Sequence, residues 1–371
     1  MKILIAPSAY KGSISPLRLA RLIAQGVKQV NPSFEVELSP LSDGGDGTIE
    51  VLKASLSGRA ISVEVAGPNG VPVASQWLMT GNKAVVELAS ASGIALLKGK
   101  KLCPLTASTL GLGQVISNCL NYPISEIIIA LGGSASTDGG TGALTALGAK
   151  FLDKAGRLLP PGGGTLTELA HIDLSGVDQR LANLSIELAV DVDSPLLGRA
   201  GAATNFGPQK GATNEEIAIL ELGLTNFADL IEAMLRRSLR DIPGAGAAGG
   251  TALGLMAGLG ASIKNGFSSV SEMIGLGEKL RGKDLVITGE GKLDKQSFQG
   301  KATGQLARLC EASGVPLWVI PGSVAEDLLW RQSGIERLLA CARPGEIATE
   351  QDVIEASMKI FALSAPQTPS R

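Results

Sequence analysis

The chain opens on a near-continuous apolar run, KILIAP at Lys2–Pro7. Such a run, closed by a turn, predicts a strand buried on both faces of a parallel sheet. Ser15 and Pro16 then supply an N-cap and a first-turn proline, and Leu17, Ala20, Ile23, Val27 and Val30 recur at helical spacing. Glu35–Leu38 predicts a second strand and Thr48–Leu56 a second helix. From Ile61 the texture changes to a β-meander with Gly, Asn and Pro turns. A helix over Thr106–Leu120, the apolar strand Glu126–Leu131, a glycine-rich loop and another helix follow, then the strand Ser185–Val190 and a long amphipathic helix over Glu215–Arg237. After the segment PGAGAAGG the βα rhythm resumes. It predicts helices over Thr251–Ile263, Ser269–Leu280 and Gly304–Ala312, and strands at Asp284–Thr288, Pro316–Ile320 and Arg337–Ala340.

Two βα units open the chain and three close it, a total of five strands, as in a flavodoxin-like doubly wound parallel sheet. The predicted fold is α/β, with residues 1–60 plus 251–371 forming that domain and 61–250 a second α/β domain inserted into it. Ligands of such folds bind beyond the carboxyl ends of the strands and between domains. A single active site in the cleft between the two domains is therefore expected.

Composition narrows the chemistry. With 33 Lys+Arg against 35 Asp+Glu the net charge is −2, which lacks the basic footprint of a nucleic-acid binder. One histidine, His171, and four cysteines without a CxxC pair exclude multi-histidine metal sites and predict reduced thiols in a cytoplasmic setting. The apolar N-terminus is too short for a signal peptide. The long uncharged stretch Pro243–Ile263 contains seven glycines and reads as a loop and a packed helix, so no membrane span is expected. Glycine itself is in excess, 48 of 371 residues, which points to many tight loops where the main chain approaches a ligand.

Five constellations fall at the ends of predicted strands. APSAYKGSISP holds Lys11, Gly12 and Ser13 where a chain enters a helix N-terminus, a place suited to an anion. Ser42–Thr48 interleaves Asp43 and Asp46 with three glycines, able to bind a metal, cap the helix or both. Gly132–Gly142 packs five glycines and four hydroxyl residues into eleven positions, around Gly132, Gly133, Ser134 and Asp138. That is the composition of a backbone-donor cradle for phosphate. Asp191 and Asp193 close an apolar strand and are followed by FGPQKGA with Lys210, placed for Mg2+ or for accepting a hydroxyl proton. Gly289-Glu290-Gly291 follows DLVIT, with Asp294, Ser297 and Lys301 close behind. Two tempting motifs fail on context. Gly244–Gly249 matches GxGxxG but no strand precedes it, and Gly277–Asp284 lacks the Ser/Thr and helix of a P-loop. Glycine loops, lysines and strand-end acids without a usable histidine suit phosphoryl transfer.

In order along the chain, KILIAPSAYKGS, DGGDGT, IALGGSASTDGGTGALTALGAKF, DVDSPLLG, FGPQKGA, PGAGAAGG and LVITGEGKLDKQS make the sequence resemble the bacterial type I glycerate kinases. The resemblance implies ATP- and Mg2+-dependent phosphorylation of D-glycerate to 2-phosphoglycerate. It further implies roles. Asp191 orients or deprotonates the substrate hydroxyl, Lys11 and Lys210 neutralise carboxylate or phosphate, and Ser13, Asp43 and Asp46 hold the substrate. Gly132, Gly133, Ser134, Asp138, Gly289 and Gly291 cradle the nucleotide, and Asp193 or Glu290 holds Mg2+. A homodimer is left open. The chain departs from the family pattern at Ser8 (usually Asp), Ala9 (Ser), Leu110 (Arg), Thr137 (Asn) and Lys292 (Arg). Losing an acid and an arginine fork keeps two alternatives open: a kinase for another small hydroxy-acid, and a non-catalytic ligand-binding relative. An NAD-linked oxidoreductase would require the GxGxxG match to be real.

Overall fold

The computed structural model describes residues 1–10, 12–45, 47–298, 300–328, 330, 333–343 and 345–363. Lys11 and Asp46, two of the expected site residues, lie outside the described residues. The chain forms two compact units. The first comprises Met1–Asp43, Glu50–Leu56 and the chain from Phe267 on; the second comprises Gly44–Ile49 and Ser57–Gly266.

The first unit is built on five parallel strands, Lys2–Ile5, Glu35–Leu38, Leu285–Thr288, Leu317–Val319 and Ile335–Leu338. Numbered in chain order they stand side by side as 2-1-3-4-5, the flavodoxin-like arrangement expected from the strand count. Ile3 and Ile5 share a buried core with Leu19, Ile23 and Val27 of the helix Pro16–Val30 and with Val353 and Ile354 of the helix Glu350–Lys359. Leu4 alternates to the opposite face and is also fully buried, which is why this strand reads as an unbroken apolar run. The order reverses between Lys2–Ile5 and Leu285–Thr288, and loops leaving the carboxyl ends of these two strands separate there, opening a crevice.

The second unit has a six-stranded mixed sheet, with strands adjacent in the order Arg59–Ala66, Pro72–Thr80, Lys83–Glu87, Glu126–Ala130, Ser185–Val190 and Ser262–Asn265. The first three run antiparallel because their short turns permit hairpins. The last four run parallel, and the three that follow Lys83–Glu87 are each reached through a helical crossover. Trp77 is fully buried in this core, its indole N–H donating to Asn118 Oδ1 at 2.9 Å. The helix Asn214–Leu235 starts on a Thr213/Glu216 capping box.

One boundary is corrected. Thr251–Gly266, expected in the flavodoxin-like domain, belongs to the second unit. The helix Ala247–Leu259 is apolar on every side, so its sequence does not reveal which sheet it covers; Leu253 and Leu255 are fully buried in the second core. Ile263, expected in a helix, lies in the edge strand Ser262–Asn265, paired in parallel with Glu187–Val190.

Candidate active site

In the first unit a hollow of about 350 Å3 lies at the switch point, beyond the carboxyl ends of the strands. Its lining includes Ser8, Ser13, Asp43, Glu290, Gly291, Asp294, Lys301 and Thr303. Tyr10 pins the loop after the first strand: its hydroxyl donates to the Ile320 carbonyl at 2.7 Å, and its own carbonyl accepts from Ser13 Oγ at 3.1 Å. Ser8 donates its backbone N–H to the Gly289 carbonyl at 2.9 Å. The short parallel pairing of Lys292–Leu293 with Ser323–Val324 steadies the opposite rim.

Glu290 is the centre of this hollow. Its carboxylate accepts from Ser297 Oγ at 2.9 Å through Oε2, while Oε1 and the Thr303 hydroxyl are buried without an ordinary hydrogen-bond partner. Burial lifts the Glu290 carboxyl above its usual range, against the opposing pull of the Thr303 and Ser297 hydroxyls and the Lys301 ammonium. Asp294 Oδ1 accepts from the N–H of Gln296 at 2.9 Å and so shapes the turn Lys295–Phe298. The helix Ala302–Ser313 begins at the rim, with Lys301 at its N-cap and no side chain capping its first turn. Hydroxyls, an ammonium and helix N–H groups suit phosphate; carboxylates beside them suit a hard cation that shares the phosphate oxygens.

The second unit gathers its expected residues at the carboxyl edge of its parallel strands. Asp191 directly follows Ser185–Val190 and is exposed, as is Asp193. Gly44 sits against the Ala189 carbonyl and Gly266, and the Gly132 N–H reaches the Gly44 carbonyl at 3.4 Å.

The glycine-rich loop differs from the expected open cradle. Its backbone donors turn inward: Gly139 N–H to the Gly249 carbonyl at 3.0 Å, Ala135 N–H to the Ser92 carbonyl at 3.0 Å, and Gly140 and Gly142 N–H to the Asp138 carboxylate at 3.2 and 3.3 Å. Asp138 is fully buried and also accepts from the Thr109 amide and hydroxyl, both at 2.8 Å. It organises the loop from within. Gly249 explains PGAGAAGG similarly: its φ is +70° and a Cβ there would stand 2.2 Å from the Ser136 carbonyl oxygen.

Lys210 is enclosed by the same loop. The ammonium expected to neutralise a ligand is 3% exposed and donates to Ser134 Oγ at 2.8 Å and to the Ser136 carbonyl. Loss of hydration pushes its pKa down from 10.5 to about 7, with the Asp138 charge pulling the other way. Lys210 is therefore a strut inside the loop. At Gly289 a Cβ would lie 2.4 Å from the Ile320 carbonyl oxygen, so backbone packing between strands requires the glycine.

Ser13, Asp43, Glu290 and Gly291 thus share the first unit's hollow, whereas Gly132, Gly133, Ser134, Asp138, Asp191, Asp193 and Lys210 belong to the second unit. Glu290 and Asp193, the two expected metal ligands, lie on different units. Among the described residues no group of three or more His, Cys, Asp or Glu side chains surrounds a common point. Mg2+ commonly needs only one or two carboxylates plus substrate phosphates, so the unpartnered Glu290 oxygen fits it. Thr303, Tyr10 and Glu346 were not anticipated. Thr303 carried a usable signal, a hydroxyl in the first turn of the helix after Gly300-Lys301; Glu346 carried none.

The family model described as the glycerate kinase family matches residues 3–363. The chain belongs to the glycerate kinase family. It is similar to the glycerate kinase of Bacillus subtilis (strain 168), 42% identical over 353 residues covering 94% of this chain and 92% of the relative. The glycerate 2-kinase of Escherichia coli (strain K12) is 40% identical over 343 residues, 92% of this chain and 90% of the relative. A crystal structure of a glycerate kinase 2 from Salmonella typhimurium LT2 superposes with a TM-score of 0.84 at 38% identity, covering 97% of this chain and 95% of that one. As a glycerate kinase family member the chain is a kinase, and its mixed α/β architecture is that of the Salmonella structure. Ser8 and Ala9 line the hollow. Among the described residues no helix is long and apolar enough to cross a membrane.

Proposed function

We propose that this chain is a cytoplasmic enzyme that phosphorylates D-glycerate to 2-phosphoglycerate using ATP and Mg2+. The observation that carries the reading is the hollow at the switch point, where Glu290 leaves a buried carboxylate oxygen unpartnered beside the uncapped helix N-terminus at Ala302. Family membership over residues 3–363 supports the substrate class.

Asp191, exposed at a strand end in the second unit, is the residue to accept the proton of the attacking hydroxyl. That oxygen bonds to the γ-phosphorus as the bond from phosphorus to the ADP oxygen breaks. Lys301 and the first-turn N–H groups of the helix Ala302–Ser313 meet phosphate charge, and Glu290 holds the cation. When bound, Mg2+ neutralises charge on the phosphate oxygens. Ser8, in place of the family aspartate, leaves the hollow one charge less acidic and is compatible with another small hydroxy-acid as a poorer substrate.

ADP release with D-glycerate, ATP and Mg2+, with the product carbon assigned by NMR, tests the proposal. Asp191→Asn is expected to lower kcat by roughly 10^2-fold or more with melting unchanged. Unchanged turnover removes Asp191 from the mechanism. A melting shift with glycerate but no ADP release in the unaltered protein would favour the non-catalytic relative.

A further inference from the structure

We infer that Lys210 is a positioning residue. By donating to Ser134 Oγ, its buried ammonium leaves the Ser134 hydroxyl able to act only as a donor, and that donor meets an anionic oxygen of a substrate at the carboxyl edge of the second unit's sheet. The inference rests on the kinase reading and adds to it the pair of residues that presents this hydroxyl.

Hydrogen-bond polarity carries the inference. An ammonium has donors and no acceptor. Lys210 Nζ stands 2.8 Å from Ser134 Oγ and donates also to the Ser136 carbonyl. The serine oxygen is therefore the acceptor of that pair, and its own hydrogen must point elsewhere. Among the described residues no acceptor of the chain receives it. Ser134 is only 8% exposed, and a nearly buried donor left without an acceptor is costly. A ligand oxygen completes the bonding. Burying the lysine charge is costly too, and a neutral donor would satisfy the Ser136 carbonyl at a lower cost in hydration. What an ammonium alone guarantees is the direction of the Ser134 bond, since an amide or hydroxyl in its place can accept as well as donate. Asp138, fully buried in the same loop, favours the charged form of Lys210 against desolvation.

Placement supports a ligand at this edge. Ser134 follows the strand Glu126–Ala130, which pairs in parallel with Ser185–Val190, Ala130 opposite Ala189. The chain leaving these neighbouring strands, Ser134 on one and Asp191 on the other, emerges on the same carboxyl edge, where such sheets bind ligands. Both partners are also held in place. Ser134 forms an antiparallel bridge with Gly93, where the Ile94 N–H donates to the Gly133 carbonyl at 2.9 Å and the Ala135 N–H to the Ser92 carbonyl at 3.0 Å. Lys210 ends the turn Pro208–Lys210, closed by Gly211 at a φ of +84°, where a Cβ would press on Leu102 at 2.8 Å. Neither side chain has to be ordered when a ligand arrives. The segment FGPQKGA thereby acts through the glycine-rich loop and not on the ligand itself.

A double-mutant cycle on the full chain tests the pair. ADP release is followed at about pH 6.5, below the value of about 7 at which Lys210 gives up its proton, with D-glycerate and Mg-ATP varied separately. Ser134→Ala is expected to lower kcat/KM for one of the two by about tenfold or more with ligand-free melting unchanged, and Ser134→Thr to restore most of it. A loss confined to D-glycerate identifies its carboxylate as the acceptor and a loss confined to Mg-ATP identifies a phosphate; either supports the inference. Lys210→Met is expected to lower the same constant, and the double variant to be no worse than the weaker single one, because without the hydroxyl the ammonium has nothing to orient. Losses that multiply in the double variant make Lys210 a strut only and overturn the inference, as does a Ser134→Ala enzyme with unchanged constants for both substrates. If Lys210→Met lowers melting, Lys210→Gln replaces it in the cycle, since its amide keeps a donor for the Ser136 carbonyl without fixing the polarity at Ser134. Turnover in the unaltered protein that is insensitive to Ser134→Ala leaves the kinase reading standing while the inference falls. Absence of turnover in the unaltered protein overturns the kinase reading, and calorimetric titration of the same variants with D-glycerate and with Mg-ATP then decides the inference on affinity. If the unaltered protein binds neither, both fall.

Discussion

Replacing Lys210 by methionine removes a titrating ammonium from the interior of the second unit while keeping a side chain of similar length. The side chain is 3% exposed, and desolvation brings its pKa from 10.5 down to about 7. The unfolded chain hydrates the same group and keeps its proton to about pH 10.4. Below about pH 7 the lysine is charged in both states and contributes no slope. Between about pH 7 and pH 10 the unfolded state holds a proton that the folded state lacks, so stability rises with pH by about 1.4 kcal/mol per unit. Lys210→Met has no such group. The stability of the unaltered protein relative to the variant should therefore climb by about 3 kcal/mol from pH 7.5 to pH 9.5. Urea unfolding of both proteins at four pH values, followed by circular dichroism and tryptophan fluorescence, measures the difference. At pH 6.5 the ranking is expected to reverse or narrow, since there folding buries a full charge whose two main hydrogen bonds, to Ser134 and the Ser136 carbonyl, offset it only in part. Two stability curves that stay parallel across this interval would show that Lys210 titrates as a hydrated lysine and would refute the desolvation argument.

Two further substitutions test the architecture of the same loop. Asp138→Ala strips a fully buried carboxylate from the Thr109 and Gly140 donors and is expected to cost about 3–5 kcal/mol; a shift in urea midpoint worth less than about 1 kcal/mol would mean that the donors find water. Gly249→Ala puts a Cβ 2.2 Å from the Ser136 carbonyl oxygen at a φ of +70° and should cost about 2–4 kcal/mol, seen as a lower melting temperature; an unchanged melting temperature would show that the loop yields.

Lys210 and Asp138 also show what reading residues alone leaves open. Both are polar residues among glycines near strand ends, the pattern of a ligand site, and both are enclosed by their own loop. Sequence places a charged group near a strand end but does not say whether its polar partners come from a ligand or from chain 74 and 76 residues away, as Ser136 and Ser134 do for Lys210. Glycine carries the same ambiguity. At Gly249 and Gly289 the close approach is by other backbone, Ser136 and Ile320, and a local pattern cannot distinguish main chain from phosphate.

What the residue pattern alone determined is the set of elements and their class. Apolar runs such as Lys2–Ile5 and Leu285–Thr288 must be buried on both faces, five strands with helical crossovers make a doubly wound sheet, and the turn-rich stretch from Ile61 makes hairpins. These properties follow from local periodicity, which a strand or helix carries in its own residues. Tertiary structure decided the rest: that Thr251–Gly266 completes the second sheet, that Glu346 joins Glu290 and Thr303 around one hollow, and that Lys210 faces inward. Each depends on contacts between residues far apart in the chain. Burial and hydrogen-bond satisfaction are properties of those contacts, and only the folded molecule sets them.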